Sequence, residues 1–371
     1  MDFDFSDDQT QLRDAVRKWV DKAYNFDERR SVVAAGGFSA SAYQAMAELG
    51  LCGLYVQDTY GGMNMGPNEG MVAMEELGRG MVMEPLVHTW MCTSVLQAFA
   101  PDDLKTEWLP RLAGGDAMLV LAHHEKDTRY DLHKCQATAK QVGTAWHING
   151  HKSLVPAGDH AHGFLVPATV NGKQALFLVP RSAATDTTHA YLAQDGSRMS
   201  ELHLKDASAH LISLDGLAAL QLAVDVGATT LCAEAVGLME KTLILTVEYM
   251  NTRKQFGVAI ASFQALRHRV ADMKMQLELG RSMSYYASLK LNAPAAERSL
   301  AVSRAKFQIG RSTRHVGQEA VQLHGGIGVT DEYIVSHYFK RLTQIELSLG
   351  DSLHHLGEVS AQMQETAGVF A

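Results

Sequence analysis

The chain has 371 residues, 46% hydrophobic and 20% charged, which is the composition of an ordinary globular protein with room for two or three domains and a large core. Its formal net charge is −8 and it has no long Lys/Arg run, so nucleic acid is excluded as a partner class. Seventeen histidines are present, yet none stands in a zinc-binding spacing, and the sequence gives no metal site.

In chain order, the first third reads as helical. The acidic start "MDFDFSDDQT" lacks the basic and apolar regions of a signal peptide. Ser6 and Gln9 form a capping box, followed by Leu12, Val16, Trp19 and Val20 at helical spacing. Ser39 caps a second segment carrying Tyr43, Met46 and Leu49. The loop "YGGMNMGPNEG" leads into a helix at "MVAMEELGRG", and "DDLKTEWLPRLAGG" stops on paired glycines. These residues define an N-terminal α-helical domain over 1–116.

The pattern changes at about Ala117. Asn149–Gly150 and Asn171–Gly172 each separate short β-prone runs, which predicts two hairpins within an antiparallel β domain over 117–213. Helical periodicity returns over 214–371, punctuated by glycines at Gly325–Gly328. No stretch of about 18 uncharged apolar residues occurs, so no membrane span is expected. Cys52, Cys92, Cys135 and Cys232 are far apart and read as reduced, buried thiols of a cytoplasmic protein.

Two stretches of the last region carry chemistry: "RKQFGVAIASFQALRHRVADM" (253–273) and "QLHGGIGVTDEY" (322–333). Arg253 offers a planar fork of donors suited to a pyrophosphate. Gly325 and Gly326 allow close backbone approach and an anion-binding nest of N–H groups. Gln322 is suited to an adenine or ribose edge. Each feature alone is also compatible with a turn or a solvated charge.

Taken together, the order α–β–α, R-x-x-F-G-x-x-I-x-x-F-Q and Q-x-x-G-G-x-G resemble the acyl-CoA dehydrogenase family. The acidic start "FSDDQTQLRDAVR" and the loop "YGGMN" belong to the same resemblance. It implies a multi-domain α+β fold: an N-terminal helical bundle, a central antiparallel β-barrel and a C-terminal four-helix bundle. It also implies α,β-desaturation of an acyl-CoA thioester. A carboxylate removes the α-proton, the β-hydride goes to the flavin of FAD, and an electron-transferring flavoprotein collects the electrons. The positions matching Arg253, Phe256, Gln264, Gln322, Gly325 and Gly326 would contact the ADP half of an FAD whose flavin ring lies in a neighbouring subunit.

The resemblance fails where the chemistry is done. Leu349, Gly350 and Asp351 stand where the family's E-G-T carries the base, and the alternative base position, ten residues before Gly237, is Gly227. Neither Leu349 nor Gly227 removes a proton. Nearby Asp225, Glu234 and Glu346 read as surface or cap charges, and Asp351 as the cap of a following helix. On the family's flavin-facing strand, only Glu125 and Asp131 echo T-E-P-x-x-G-S-D. Arg129, Tyr130 and Lys152 read as barrel surface. The "RYDL" and "GD…HH" variants are similar to the small, non-catalytic subunits of heteromeric acyl-CoA dehydrogenases, such as the pimeloyl-CoA dehydrogenase small subunit and bacterial steroid side-chain enzymes. The resemblance therefore implies a second subunit carrying the catalytic glutamate, within an α2β2 assembly. A homomeric enzyme with a displaced base and a flavin-free scaffold are the other readings.

Overall fold

The computed structural model describes residues 5–184 and 188–367, with side chains described through Met363. The first four residues of the acidic start and the last four of the C-terminal region lie outside the described residues.

Six helices come first: α1 (Asp7–Ala23), α2 (Phe26–Ala34), α3 (Ala40–Glu48), α4 (Pro67–Arg79), α5 (Leu86–Phe99) and α6 (Asp102–Ala113). The local signals explain several of their ends. Ser6 Oγ accepts from Gln9 N, and Gln9 Oε1 accepts from Ser6 N, closing the expected capping box. Ser39 Oγ accepts from Ala42 N at the start of α3, whose buried face is Tyr43 and Met46. Gly114 and Gly115 end α6 as read from the sequence.

Seven strands follow: β1 (Leu119–Leu121), β2 (Thr138–Val142), β3 (Ala145–Pro156), β4 (Gly163–Val170), β5 (Lys173–Pro180), β6 (Thr188–Leu192) and β7 (Arg198–Ser213). Pairings β4–β2, β2–β3, β3–β7, β7–β5 and β5–β4 return to their starting strand, so the sheet closes as a barrel. Most of the ladder is antiparallel, but β1–β4 and the single Thr138–Thr169 contact of β2–β4 run parallel. The hairpin at Asn171–Gly172 forms as predicted, with both turn residues at positive φ (+49° and +80°).

Asn149–Gly150, in contrast, is not a turn. Both residues lie inside β3, at a register shift between Ile148 and Gly150, and the actual β2–β3 turn is at Gly143–Thr144. The glycine is needed for space: a Cβ on Gly150 would come within 2.5 Å of the Ala137 Cβ. Asn149 Oδ1 meanwhile accepts from Asp206 N across the bulge.

The remainder is helical apart from one small hairpin: α7 (Gly216–Thr252), β8 (Lys254–Gln255), β9 (Val258–Ala259), α8 (Gln264–Lys290), α9 (Ala295–His324), α10 (Ile334–Leu347) and α11 (Ser352–Ala367). By length and composition α7 is apolar enough to cross a membrane, with a mean hydropathy of 1.5 in its best window. That window is 94% buried within the protein, as in a core helix.

The chain forms two compact units. One comprises the residues up to Arg29, Pro67–Val82 and the chain from Ala228 onward; the other comprises Arg30–Gly66 and Met83–Gly227. In the first unit, α4 and α7 touch backbone to backbone through two glycines. A Cβ on Gly237 would stand 1.8 Å from the Glu75 carbonyl oxygen, and one on Gly78 would stand 2.2 Å from that of Glu234. Gly237→Ala is therefore expected to cost about 1–3 kcal/mol, read as a lower denaturant midpoint.

The Glu75 side chain beside this crossing pairs with Arg281 Nη1 at 3.2 Å, while its Oε1 has no partner among the described residues. Burial pushes its pKa up to about 7, against the attraction of Arg281 and with help from Glu240. A folded-state pKa above the unfolded value means that the protonated form is favoured by folding. Stability from this group is full below about pH 4.5 and is lost as the pH rises through about 7. Glu75→Gln should raise stability at pH 8 and flatten the decline between pH 5 and 8 in a series of urea melts.

Candidate functional site

The site residues read from the sequence gather at one end of the C-terminal helices. α7 ends at Thr252, and Arg253 follows it, with its N–H donating to Tyr249 O at 2.8 Å and its side chain exposed. Lys254 and Gln255 then pair with Ala259 and Val258, and Phe256–Gly257 make the turn at φ +53° and +83°. This turn type needs positive φ twice, and the sequence supplies the required glycine at its second position. The result is that Phe256 stands 91% exposed at the tip, edge-on to Phe263 with ring centroids 6.1 Å apart. Gln264, the first residue of α8, is also exposed.

Gln322, Gly325 and Gly326 close α9. Gly325 takes φ +65°, and a Cβ added at either glycine would meet nothing within 4 Å among the described residues. The turn is thus an open cradle of bare backbone, the geometry that suits a phosphate. An aromatic stack joins it to the Arg253 end of α7. The Tyr249 ring lies on His324 with centroids 4.4 Å apart, and Tyr333 closes on both rings. Tyr249 is one turn before Arg253, and His324 directly precedes Gly325, so the stack brings the two motifs to the same end of the bundle.

His324 is buried, and its Nδ1 lies 2.7 Å from Ala320 O. A carbonyl only accepts, so Nδ1 carries a proton and donates it there. Burial lowers its pKa, partly opposed by that hydrogen bond. Sequence reasoning missed Tyr249, His324 and Tyr333; their spacing from Arg253 and Gly325 was the available signal.

The positions where the family carries its base are built differently. Leu349 is 8% exposed at φ +54°, followed by Gly350 at φ +106°. The corner around them is held by buried polar groups. Lys306 Nζ donates to Ile345 O at 2.7 Å, and His355 Nε2 donates to Leu349 O at 3.0 Å. Burial brings the Lys306 pKa down to about 8 and that of His355 to about 3, so His355 is neutral. Gly350 leaves the space that the imidazole uses, since a Cβ there would be 2.4 Å from His355 Nε2.

The neighbouring carboxylates are structural. Glu346, Glu234 and Asp225 are all buried, which corrects their reading as surface charges. Glu346 Oε1 accepts from Ser352 N at 3.2 Å and Ser352 Oγ at 3.0 Å, and pairs with Arg314 at 3.2 Å. Glu234 holds Arg341 with two bonds of 2.6 and 2.8 Å. Asp225 accepts from Gln221 Nε2 at 2.9 Å. Asp351 caps α11 as expected, accepting from His354 N at 2.8 Å. Gly227, in α7, is buried.

In the barrel, Lys152 is not surface. Its side chain is fully buried, and Nζ lies 2.6 Å from Glu125 Oε1. Glu125 also accepts from Gln136 N at 2.6 Å and Ala137 N at 3.0 Å. Arg129 is exposed, in the left-handed region at φ +49°, with its guanidinium 5.6 Å from the Tyr130 ring. Asp131 is exposed and pairs with Lys134 at 3.4 Å.

An α–β–α chain with this open glycine cradle in its last helical region has the frame of a flavin-dependent dehydrogenase. The acyl-CoA dehydrogenase N-terminal domain matches residues 6–116, and the acyl-CoA dehydrogenase C-terminal domain matches residues 215–363. The chain belongs to the acyl-CoA dehydrogenase family, whose members are FAD-binding oxidoreductases acting on CH–CH bonds. It is 28% identical over 372 residues to YngJ of Bacillus subtilis, a probable acyl-CoA dehydrogenase, covering 95% of this chain and 97% of that one. It is likewise 28% identical over 357 residues to the acyl-CoA dehydrogenase FadE12 of Mycobacterium tuberculosis, covering 89% of each. Among solved structures, a variant of the steroid ACAD Tcur3481-Tcur3483 superposes with a TM-score of 0.90 at 26% identity, covering 97% of this chain and 99% of that one. The ChsE4-ChsE5 complex of Mycobacterium tuberculosis shares the fold, with a TM-score of 0.90 at 24% identity over 99% of this chain and 100% of that one.

Proposed function

We propose that this chain is the non-catalytic subunit of an α2β2 acyl-CoA dehydrogenase. It presents Arg253, Phe256, Gln264, Gln322, Gly325 and Gly326 to the ADP half of an FAD held mainly by a partner that bears the catalytic glutamate. The observation that carries this reading is the corner at Leu349. An apolar residue stands at the family's base position, and the carboxylates weighed as substitutes are committed to Arg314, Arg341, Gln221 and a helix cap. A general base must come within hydrogen-bond reach of the proton it removes, and these carboxylates are instead engaged with structural partners.

The grip residues, in contrast, are exposed, and Phe256 at 91% exposure is an apolar side chain held out to solvent. Arg253 would bind the pyrophosphate oxygens, and the bare Gly325–Gly326 backbone would accept their close approach. FAD, when bound, supplies the hydride-accepting chemistry, while this chain orients its far half. The substrate would be an acyl-CoA thioester, and electrons would pass to an electron-transferring flavoprotein. Likeness to a steroid ACAD supports a steroid or other bulky acyl group within that class. The four cysteines are free, which supports a cytoplasmic location.

Purification of the chain alone tests the proposal. It is expected to be colourless and inert toward acyl-CoA, and to yield a yellow, active complex when co-expressed with a base-bearing acyl-CoA dehydrogenase subunit. A yellow chain that reduces its own flavin on addition of acyl-CoA would show instead a homomeric enzyme with a displaced base.

A further inference from the structure

Cys135 differs from the other three cysteines. Cys52, Cys92 and Cys232 are wholly buried, whereas Cys135 is half-buried in the segment leading into β2. Its Sγ lies 3.8 Å from Lys152 Nζ, the same distance from Glu125 Oε1, and 3.3 Å from Pro167 O. A thiol, a buried primary amine and a carboxylate thus meet in one cluster inside the barrel, with the amine already 2.6 Å from the carboxylate. Nothing in the proposed FAD grip uses this cluster.

We propose that Cys135 and Lys152 form an oxidation-dependent covalent link, a sulfenamide S–N bond made after oxidation of the thiol by hydrogen peroxide. In the first step Sγ attacks one peroxide oxygen and the O–O bond breaks. The leaving hydroxide takes the thiol proton as water, and sulfur is oxidised by two electrons to the sulfenic acid. In the second step Lys152 passes one ammonium proton to Glu125, and the freed Nζ attacks the sulfenic sulfur. The S–N bond forms, the S–O bond breaks, and the departing hydroxide leaves with the second Nζ proton as water. The sum is one thiol, one amine and one peroxide giving one sulfenamide and two waters.

The surroundings favour this end product over deeper oxidation. Burial raises the Cys135 thiol pKa, and the neighbouring Lys152 opposes that shift. Once a sulfenic acid forms, the nearest nucleophile is an amine held in contact by the barrel, with its proton acceptor in place. The link would join the segment before β2 to β3 and draw Nζ away from Glu125, which keeps its two backbone donors, Gln136 and Ala137. The bond requires neither flavin nor a partner chain, so its test is independent of the proposed function.

The full chain is treated with hydrogen peroxide, quenched with catalase, digested without reductant and analysed by mass spectrometry. The expected product is a peptide pair joined at Cys135 and Lys152, lighter than the sum of its parts by two hydrogens and released by dithiothreitol. Cys135→Ser and Lys152→Arg should each abolish it; the arginine retains a charge partner for Glu125, and circular dichroism verifies that both variants are folded. Recovery of Cys135 as thiol, sulfinic or sulfonic acid, with Lys152 still cleavable by trypsin, would overturn the proposal. So would a linked pair that retains an oxygen atom.

Discussion

Replacing Arg253 with alanine is expected to strip FAD from the proposed complex of this chain with a base-bearing subunit. The guanidinium stands exposed just past α7, and its backbone is fixed independently by the bond to Tyr249 O at 2.8 Å. The substitution therefore removes the fork and leaves the hairpin intact. A bidentate grip on pyrophosphate comprises two charge-assisted bonds, each worth about 1.5–3 kcal/mol. Losing both corresponds to at least about a hundredfold weaker flavin retention. Absorbance of the purified complex near the flavin maximum reads the loss directly. Arg253→Lys should recover only part of it, because an ammonium retains the charge without the planar fork. A full flavin complement in the alanine variant would place the phosphate elsewhere.

Glu125→Ala is expected to be the most destabilising single change in the barrel. It leaves the fully buried Lys152 ammonium without its counter-charge and frees the Gln136 and Ala137 N–H groups. Breaking a buried pair from one side costs about 3–5 kcal/mol, and urea melts would show it as a large drop in midpoint. The pH dependence follows from the same contacts. Burial alone would raise the Glu125 pKa, but Lys152 and the two backbone donors outweigh it and hold the carboxyl below its ordinary value. A depressed folded-state pKa gives stability that is present above the unfolded value, near pH 4.5, and is lost as the pH falls through the folded one. Lys152→Met should cost less, since Glu125 keeps its backbone donors and the apolar chain fills the same space. Equal costs for the two variants would show that the pair, rather than the carboxylate's full set of bonds, holds this corner.

The parts of the fold that were legible in the sequence are those written in adjacent residues. Ser6 with Gln9, Ser39, Gly114–Gly115 and Asn171–Gly172 each fix a local backbone geometry by their own chemistry. α5 left no such trace, because residues from Leu86 to Leu96 are buried almost all round and an apolar period of 3.6 never emerges. Asn149–Gly150 misled because the same pair that makes a tight turn also serves a bulge where two backbones approach closely. The residues proposed to grip FAD stand in local motifs, and each lies exposed where its motif was found. The roles of the carboxylates could not be read, because their partners are remote: Glu234 meets Arg341 across 107 positions, and Glu125 meets Lys152 across 27. Charge and sequence position alone do not distinguish a solvated carboxylate from one buried against an arginine.

The central claim is that the glycine cradle at Gly325–Gly326 serves a flavin whose chemistry belongs to another chain. Native mass analysis of the assembled complex, counting polypeptides and FAD together, tests it most directly. The account predicts two copies of this chain, two of a base-bearing partner and two flavins. Four flavins per four chains, or an assembly of this chain alone that carries flavin, would contradict it.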